Sequence, residues 1–273
     1  MAITLPALTP IEDSLFLTLY ARALDKRSSR PILADKTADE IVHNLDYDYQ
    51  KFHLSTNLII NVAQRAKKLD EVASGFLARN PDAVGLDLGA GLDSRMVRID
   101  PPPTVDWYDV DFPGVITARE RLRPHHGNAH GVGADLREPH WLDSIPSDRP
   151  AVIVADGLMA FLTQDEWVSL HNRLVSHFPS GEIAYNNYTK FAIRAAKHSR
   201  GTQSVADLVK SPGVDDPREP ERWNPKLKLI KEILLVREPE VAEFPTAIRL
   251  YNRLLATSTA LSRKGTVVFH YRF

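Results

Sequence analysis

The chain has 273 residues, 43% of them hydrophobic, with a formal net charge of −1 and no cysteine. That length and apolar content suit one large α/β domain, and the missing thiols exclude disulfides, thiolate nucleophiles, zinc–cysteine sites and iron–sulfur clusters. Near-neutral charge without a long basic run, and no apolar stretch of spanning length or leader-like N-terminus, lead us to expect a cytoplasmic protein that handles small molecules or a protein partner, not nucleic acid or membrane.

Residues 1–80 read as helical and carry no strand signal, and we expect them to form an N-terminal cap on a core spanning 81–273. Leu15, Leu17, Leu19, Tyr20 and Leu24 mark one helix, and Ala38 to Leu45 resumes the pattern after Pro31. From about Asn57 to Arg79, apolar residues recur at spacings of three and four, the stripe of an amphipathic helix. After Asn80-Pro81-Asp82 the chain alternates short apolar strands with helices. Strands are expected at about 83–88, 105–110, 129–132, 151–155, 182–186, 227–236 and 266–271. Ser94 is expected to cap the helix after the first strand, and Pro113 to open the helix after the second. Thr163-Gln164-Asp165-Glu166 is a capping box for a helix continued by Trp167, Leu170 and Leu174. Residues 198–225 read as loop with at most a short helix, inert or a lid, and 247–261 as one helix. The alternation implies a doubly wound, Rossmann-like, mostly parallel sheet. Seven strands with a late C-terminal one suit the methyltransferase form better than the six-stranded dehydrogenase form.

In such a sheet the ligand lies across the carboxyl ends of the strands. Those positions hold Gly89-Ala90-Gly91-Leu92-Asp93, Asp111, Asp135 and Asp156. Gly89 and Gly91 permit a sharp turn close to a ligand, and Asp111 falls where an acid can receive both hydroxyls of a ribose. Asp135 is placed to face an adenine amino group, so the set points to a bound adenosine. A dinucleotide fingerprint wants glycine where Ser94 stands, and Asp93 would oppose a pyrophosphate. S-adenosylmethionine has no phosphate and carries cationic groups, so charge favours it as the cofactor.

Leu88-Gly89-Ala90-Gly91-Leu92-Asp93-Ser94-Arg95, Tyr108-Asp109-Val110-Asp111-Phe112-Pro113-Gly114-Val115 and Ala155-Asp156-Gly157-Leu158-Met159-Ala160-Phe161-Leu162-Thr163 together resemble the leucine carboxyl methyltransferase superfamily. The bacterial branch of tetracenomycin-type polyketide O-methyltransferases is the nearer likeness. The resemblance runs from about Lys51 to Phe178 and more faintly beyond. It implies a class I fold, S-adenosylmethionine as donor with S-adenosylhomocysteine as product, and methyl transfer to a carboxylate or hydroxyl oxygen of a small polyketide-like metabolite. Carried over by motif, Arg65 pairs with the donor's carboxylate, Gly89, Ala90 and Gly91 form the donor loop, Asp111 binds ribose, and Asp135 with Leu136 contacts adenine. Asp156 stands where the family usually has glutamate, so its contact is expected through water. Phe161 replaces a common tyrosine. Gly85 and Asp87 depart from the pattern too, and Asp87 is a candidate for the donor's ammonium group.

Tyr185, Asn186, Asn187 and Tyr188, at the end of strand five, are the acceptor-pocket candidates, with Arg249 as a partner for an acceptor carboxylate. Tyr185 pointing into the core and Arg249 on a helix surface are the plainer readings. A carboxylate acceptor needs no general base, whereas a phenol or alcohol does. His125, His126, His130 and His140 read as surface histidines. Asp109 and Asp111 form an acidic pair, but no metal site is expected. The alternatives are a methyltransferase of a protein C-terminal carboxylate, a nicotinamide-dependent oxidoreductase and a non-catalytic adenosine-binding protein.

Overall fold

The computed structural model describes residues 9–122, 127–197 and 207–273. His125 and His126 lie outside them, as do residues 198–206 of the expected loop. The N-terminal part forms α1 (Pro10–Asp13), α2 (Leu15–Arg27), α3 (Lys36–Asn44) and the long α4 (Thr56–Arg79). The core follows as β1 (Val84–Leu88), α5 (Arg95–Ile99), β2 (Asp106–Asp111), α6 (Pro113–Leu122), β3 (Ala129–Gly133), β4 (Ala151–Ala155), α7 (Gln164–His177), β5 (Gly181–Asn187), α8 (Lys190–Lys197), β6 (Lys228–Leu234) and β7 (Val267–Arg272). The sheet order is β3-β2-β1-β4-β5-β7-β6. β1 to β5 run parallel, and β7 is antiparallel to β5 and β6.

Alternation along the strands sorts side chains into two layers. Ala151, Ile153 and Ala155 of β4 join Leu86, Leu88, Tyr108 and Val110 under Trp167, Leu170 and Leu174 of α7. Val152 and Val154 face the other way, with Trp107 and Ala184, against Leu69, Ala73, Phe76 and Leu77 of α4. The α4 stripe thus covers one face of the sheet directly. α2 and α3 build a separate apolar cluster that reaches the core through Leu92 and Val115.

Local signals set several ends. Ser55 accepts a hydrogen bond from Leu58 N–H at the start of α4, and Thr163 and Glu166 complete the capping box of α7. Ser94 precedes α5 but makes no side-chain cap; its hydroxyl donates to Asp35 Oδ1 at 2.6 Å. The expected helix 247–261 is two shorter ones, Thr246–Leu255 and Thr259–Ser262. The departure at Gly85 has a steric cause, since a Cβ there would stand 2.1 Å from Trp107 Cε3.

Candidate active site

The carboxyl ends of the parallel strands open on a cavity of about 530 Å3. Its lining brings together Arg65, Asp87, Gly89, Ala90, Gly91, Asp111, Asp135, Leu136 and Asp156 with Tyr188. Ile11, Ser14, Leu15 and Thr18 of α1 and α2, or the turn between them, form one wall, and the segment from Asp207 to Lys210 forms another.

The donor-type loop turns on Gly89 (φ 65°) and Gly91 (φ 48°), a region costly for any residue with a Cβ. Gly89 and Ala90 N–H both donate to Val110 O, at 2.8 and 3.3 Å, tying the loop to β2. Asp111 then closes it, accepting from Gly91 N–H and Phe112 N–H at 2.7 Å each. Burial raises the Asp111 carboxyl above its ordinary value, and the two amides offset only part of the rise. At the β3 end, Arg137 grips Asp135 through Nε at 2.9 and 3.0 Å and holds its carboxyl below the usual range. At the β4 end, Arg65 Nε lies 2.7 Å from Asp156 Oδ1, both nearly buried, yet neither atom has a properly aligned hydrogen bond. Arg65 Nη1 donates to Tyr188 Oη at 3.1 Å.

Beneath the loop lies a buried ionic cluster that single-sequence reading did not foresee. Arg95, fully buried, reaches Asp87 at 2.9 Å, Asp93 at 3.2 Å and Asp70 at 2.5 Å. Arg98 meets Asp35, Asp70 and Asp93 at 2.9, 2.6 and 2.7 Å, and Arg22 pairs with Asp35 at 3.2 Å. The available signal was Arg95 and Arg98, one turn apart just after Asp93; their partners Asp35 and Asp70 are remote in sequence. Asp93 is therefore not the bare carboxylate expected to repel a pyrophosphate. Despite burial, Arg98, Arg22 and Arg95 hold its carboxyl well below the ordinary range. A neutralised carboxylate discriminates little between cofactors, so that charge argument for the methyl donor fails.

Burial pushes up two acids of this cluster, Asp70 and Asp87, the latter to about 7; at Asp87, Arg95 opposes the rise, and the charges of Asp93 and Asp109 add to it. Between the ordinary carboxyl range and about 7, the folded chain holds a proton that the unfolded chain has released. The contribution of Asp87 to stability is therefore present at low pH and lost as pH rises through that window. Urea unfolding at several pH values between 5 and 8 should show a downward slope that Asp87→Asn flattens; equal slopes would assign the proton elsewhere.

Of the acceptor candidates, only Tyr188 lines the cavity. Tyr185 is buried among Trp167, His171, Phe269 and Tyr271, because its place on β5 turns it toward α7. Asn187 is buried, donating to Val214 O at 2.8 Å, and Asn186 accepts from Gly157 N–H at 2.5 Å. Arg249 stays on its own helical segment, bonded to Ala242 O and Thr246 Oγ1 at 3.2 and 3.4 Å. His130 pairs with Asp106 and His140 with Asp143, both away from the cavity. β2 runs through both Asp109 and Asp111, but Arg119 takes Asp109. Among the described residues no group of three His, Cys, Asp or Glu is placed to hold a metal.

Residues 15–175 match the family model described as leucine carboxyl methyltransferase. The chain belongs to this family. It is 38% identical over 236 residues to the tetracenomycin polyketide synthesis O-methyltransferase TcmP of Streptomyces glaucescens, covering 86% of this chain and 87% of that one. It is 31% identical over 257 residues to the S-adenosyl-L-methionine-dependent methyltransferase dpfgK of Gibberella zeae, covering 85% and 84%. The structure of the plantazolicin methyltransferase BpumL in complex with S-adenosylhomocysteine is alike in fold, with a TM-score of 0.50 at 13% identity over 97% of this chain and 98% of that one. This member of the leucine carboxyl methyltransferase family is an S-adenosylmethionine-dependent O-methyltransferase. The nicotinamide oxidoreductase and non-catalytic alternatives are thereby set aside. No helix among the described residues is long and apolar enough to cross a membrane.

Proposed function

We propose that this enzyme works in the cytoplasm on a small, largely apolar, polyketide-like acceptor whose oxygen is already ionised at neutral pH, a carboxylate or an acidic phenol. One observation carries the reading. Beyond the glycine loop the cavity is walled by Leu58, Val62, Phe161 and Ile193, and no histidine is among its described lining residues. Such a wall suits an apolar body, and an acceptor that has already lost its proton needs no imidazole base beside it. The walls that residues 11–18 and 207–210 add around the cavity support a small molecule over a protein C-terminus. In the same reading, residues 1–80 act as the cap over the donor and residues 81–273 as the core that holds it.

The residues present fit the donor. Arg65 Nε, paired with Asp156 Oδ1 at 2.7 Å, is a buried donor without an aligned hydrogen bond, and the donor's carboxylate would give it one. In this reading Arg65 takes the donor's carboxylate, Asp87 its ammonium, and Asp156 supports Arg65. Gly89, Ala90 and Gly91 let the backbone approach, Asp111 receives the ribose hydroxyls, and Asp135 with Leu136 meets the adenine. When bound, S-adenosylmethionine supplies a methyl already activated by its sulfonium. The chain's own task is to align the acceptor oxygen with that methyl and to exclude water. Tyr188, held by Arg65, stands at the junction of the two halves and is placed to orient the acceptor.

Incubation with donor and a panel of aromatic carboxylic acids, phenols and aliphatic alcohols tests this. Methyl esters or aryl methyl ethers are expected, identified by mass and by the lability of esters to alkali. Turnover confined to neutral aliphatic alcohols would overturn the reading, because those acceptors require a base.

A further inference from the structure

We infer that Arg119 is a positioning residue for methyl transfer: from α6 it sets the shape of the donor loop from behind, and so sets donor affinity without touching donor or acceptor. Its guanidinium is nearly buried and is absent from the cavity lining. Nη1 donates to three loop carbonyls, Ala90 O at 3.1 Å, Gly91 O at 2.7 Å and Asp93 O at 3.0 Å. Nη2 pairs with Asp109 Oδ2, while Asp109 Oδ1 accepts from Trp107 Nε1 at 3.1 Å. Arg22 Nη2 completes the clamp on Leu92 O at 3.1 Å. Every carbonyl from Ala90 to Asp93 thus accepts a bond from a buried arginine. This matters because Gly89 and Gly91 leave the loop many backbone conformations.

The carbonyls held from one side turn Gly91 N–H toward Asp111 at 2.7 Å. Asp111 is the carboxylate placed to receive the ribose, so Arg119 acts on the donor through the loop and Asp111. Lysine cannot replace it, because a single ammonium can serve the loop carbonyls or Asp109 but not both sides, which the guanidinium reaches at once through Nη1 and Nη2. The inference rests on the donor lying against the glycine loop, as proposed above.

The test is steady-state kinetics and calorimetric titration with S-adenosylhomocysteine on Arg119→Lys, with Asp109→Asn as the milder second variant. Lys68→Gln is the control: Lys68 is equally buried in an ionic cluster, with Glu71, Glu238 and Glu240, away from the loop. Arg119→Lys should raise the donor KM and the product Kd about tenfold, the equivalent of one charge-assisted hydrogen bond. Acceptor KM should be unchanged and kcat at saturating donor should stay within about threefold, since the reacting atoms are untouched. Asp109→Asn should move the same constants in the same direction by less, and it carries the test if the lysine variant does not fold. Lys68→Gln should lower Tm and leave donor KM alone. Donor KM within about twofold of wild type in the folded Arg119 and Asp109 variants, or a shift matched by Lys68→Gln, would overturn the role. Asp111→Ala separates the two readings: if it too leaves donor affinity intact, the placement of the donor fails, and if it alone abolishes affinity, only the role of Arg119 fails.

Discussion

Asp111→Ala is expected to weaken S-adenosylmethionine and S-adenosylhomocysteine at least about a hundredfold. Two ribose hydroxyls donating to one carboxylate are charge-assisted hydrogen bonds, each worth about 1.5–3 kcal/mol, and about 1.4 kcal/mol is a factor of ten. The alanine also frees Gly91 N–H and Phe112 N–H, both now bonded to that carboxylate at 2.7 Å. Asp111→Asn keeps an acceptor in place but loses the charge, so it should fall between alanine and wild type. Calorimetric titration of both products of the substitution against wild type decides this. A Kd for alanine within threefold of wild type would remove Asp111 from the donor site.

Arg95→Met should be among the most destabilising single changes in the chain. Its guanidinium is fully buried and pairs with Asp70, Asp87 and Asp93. Removing one partner from such a cluster leaves carboxylates buried without compensation, at a cost of about 3–5 kcal/mol. For a chain of this size that corresponds to a fall in Tm of roughly 10 °C. The Arg95→Met, Asp87→Asn double variant should recover part of the loss, because Asp87 then carries no charge to leave unpaired. Additive losses in that cycle would show that Arg95 and Asp87 are not coupled, and a Tm for Arg95→Met close to wild type would show that the cluster contributes little to folding.

The strands, helix ends and glycine loop were legible because their signals are local. The apolar run Ala151 to Ala155 suits a strand covered on both faces, and Thr163 with Glu166 marked a helix start that the structure keeps. The nine proposed donor residues lie at or just after strand ends or on α4, and topology alone brings such positions to one cavity. The acceptor side was less legible. Tyr185 to Tyr188 were grouped by their place at the end of β5, but strand alternation sends Tyr185 into the aromatic core, and the packing after the strand leaves only Tyr188 at the cavity. The charge of Asp93 misled for a related reason, since its sign was visible and its neutralising partners were not.

By itself, then, the sequence determined the α/β class, the seven strands, the place of the glycine loop and the family, because hydrophobic period, glycine position and motif spacing are properties of short segments. Only the tertiary structure decided which charges are spent on one another. Arg22, Arg95, Arg98 and Arg119 meet Asp35, Asp70, Asp87, Asp93 and Asp109 from seven different segments of chain. Electrostatic energy depends on separation and burial, and neither is defined until the segments are folded together.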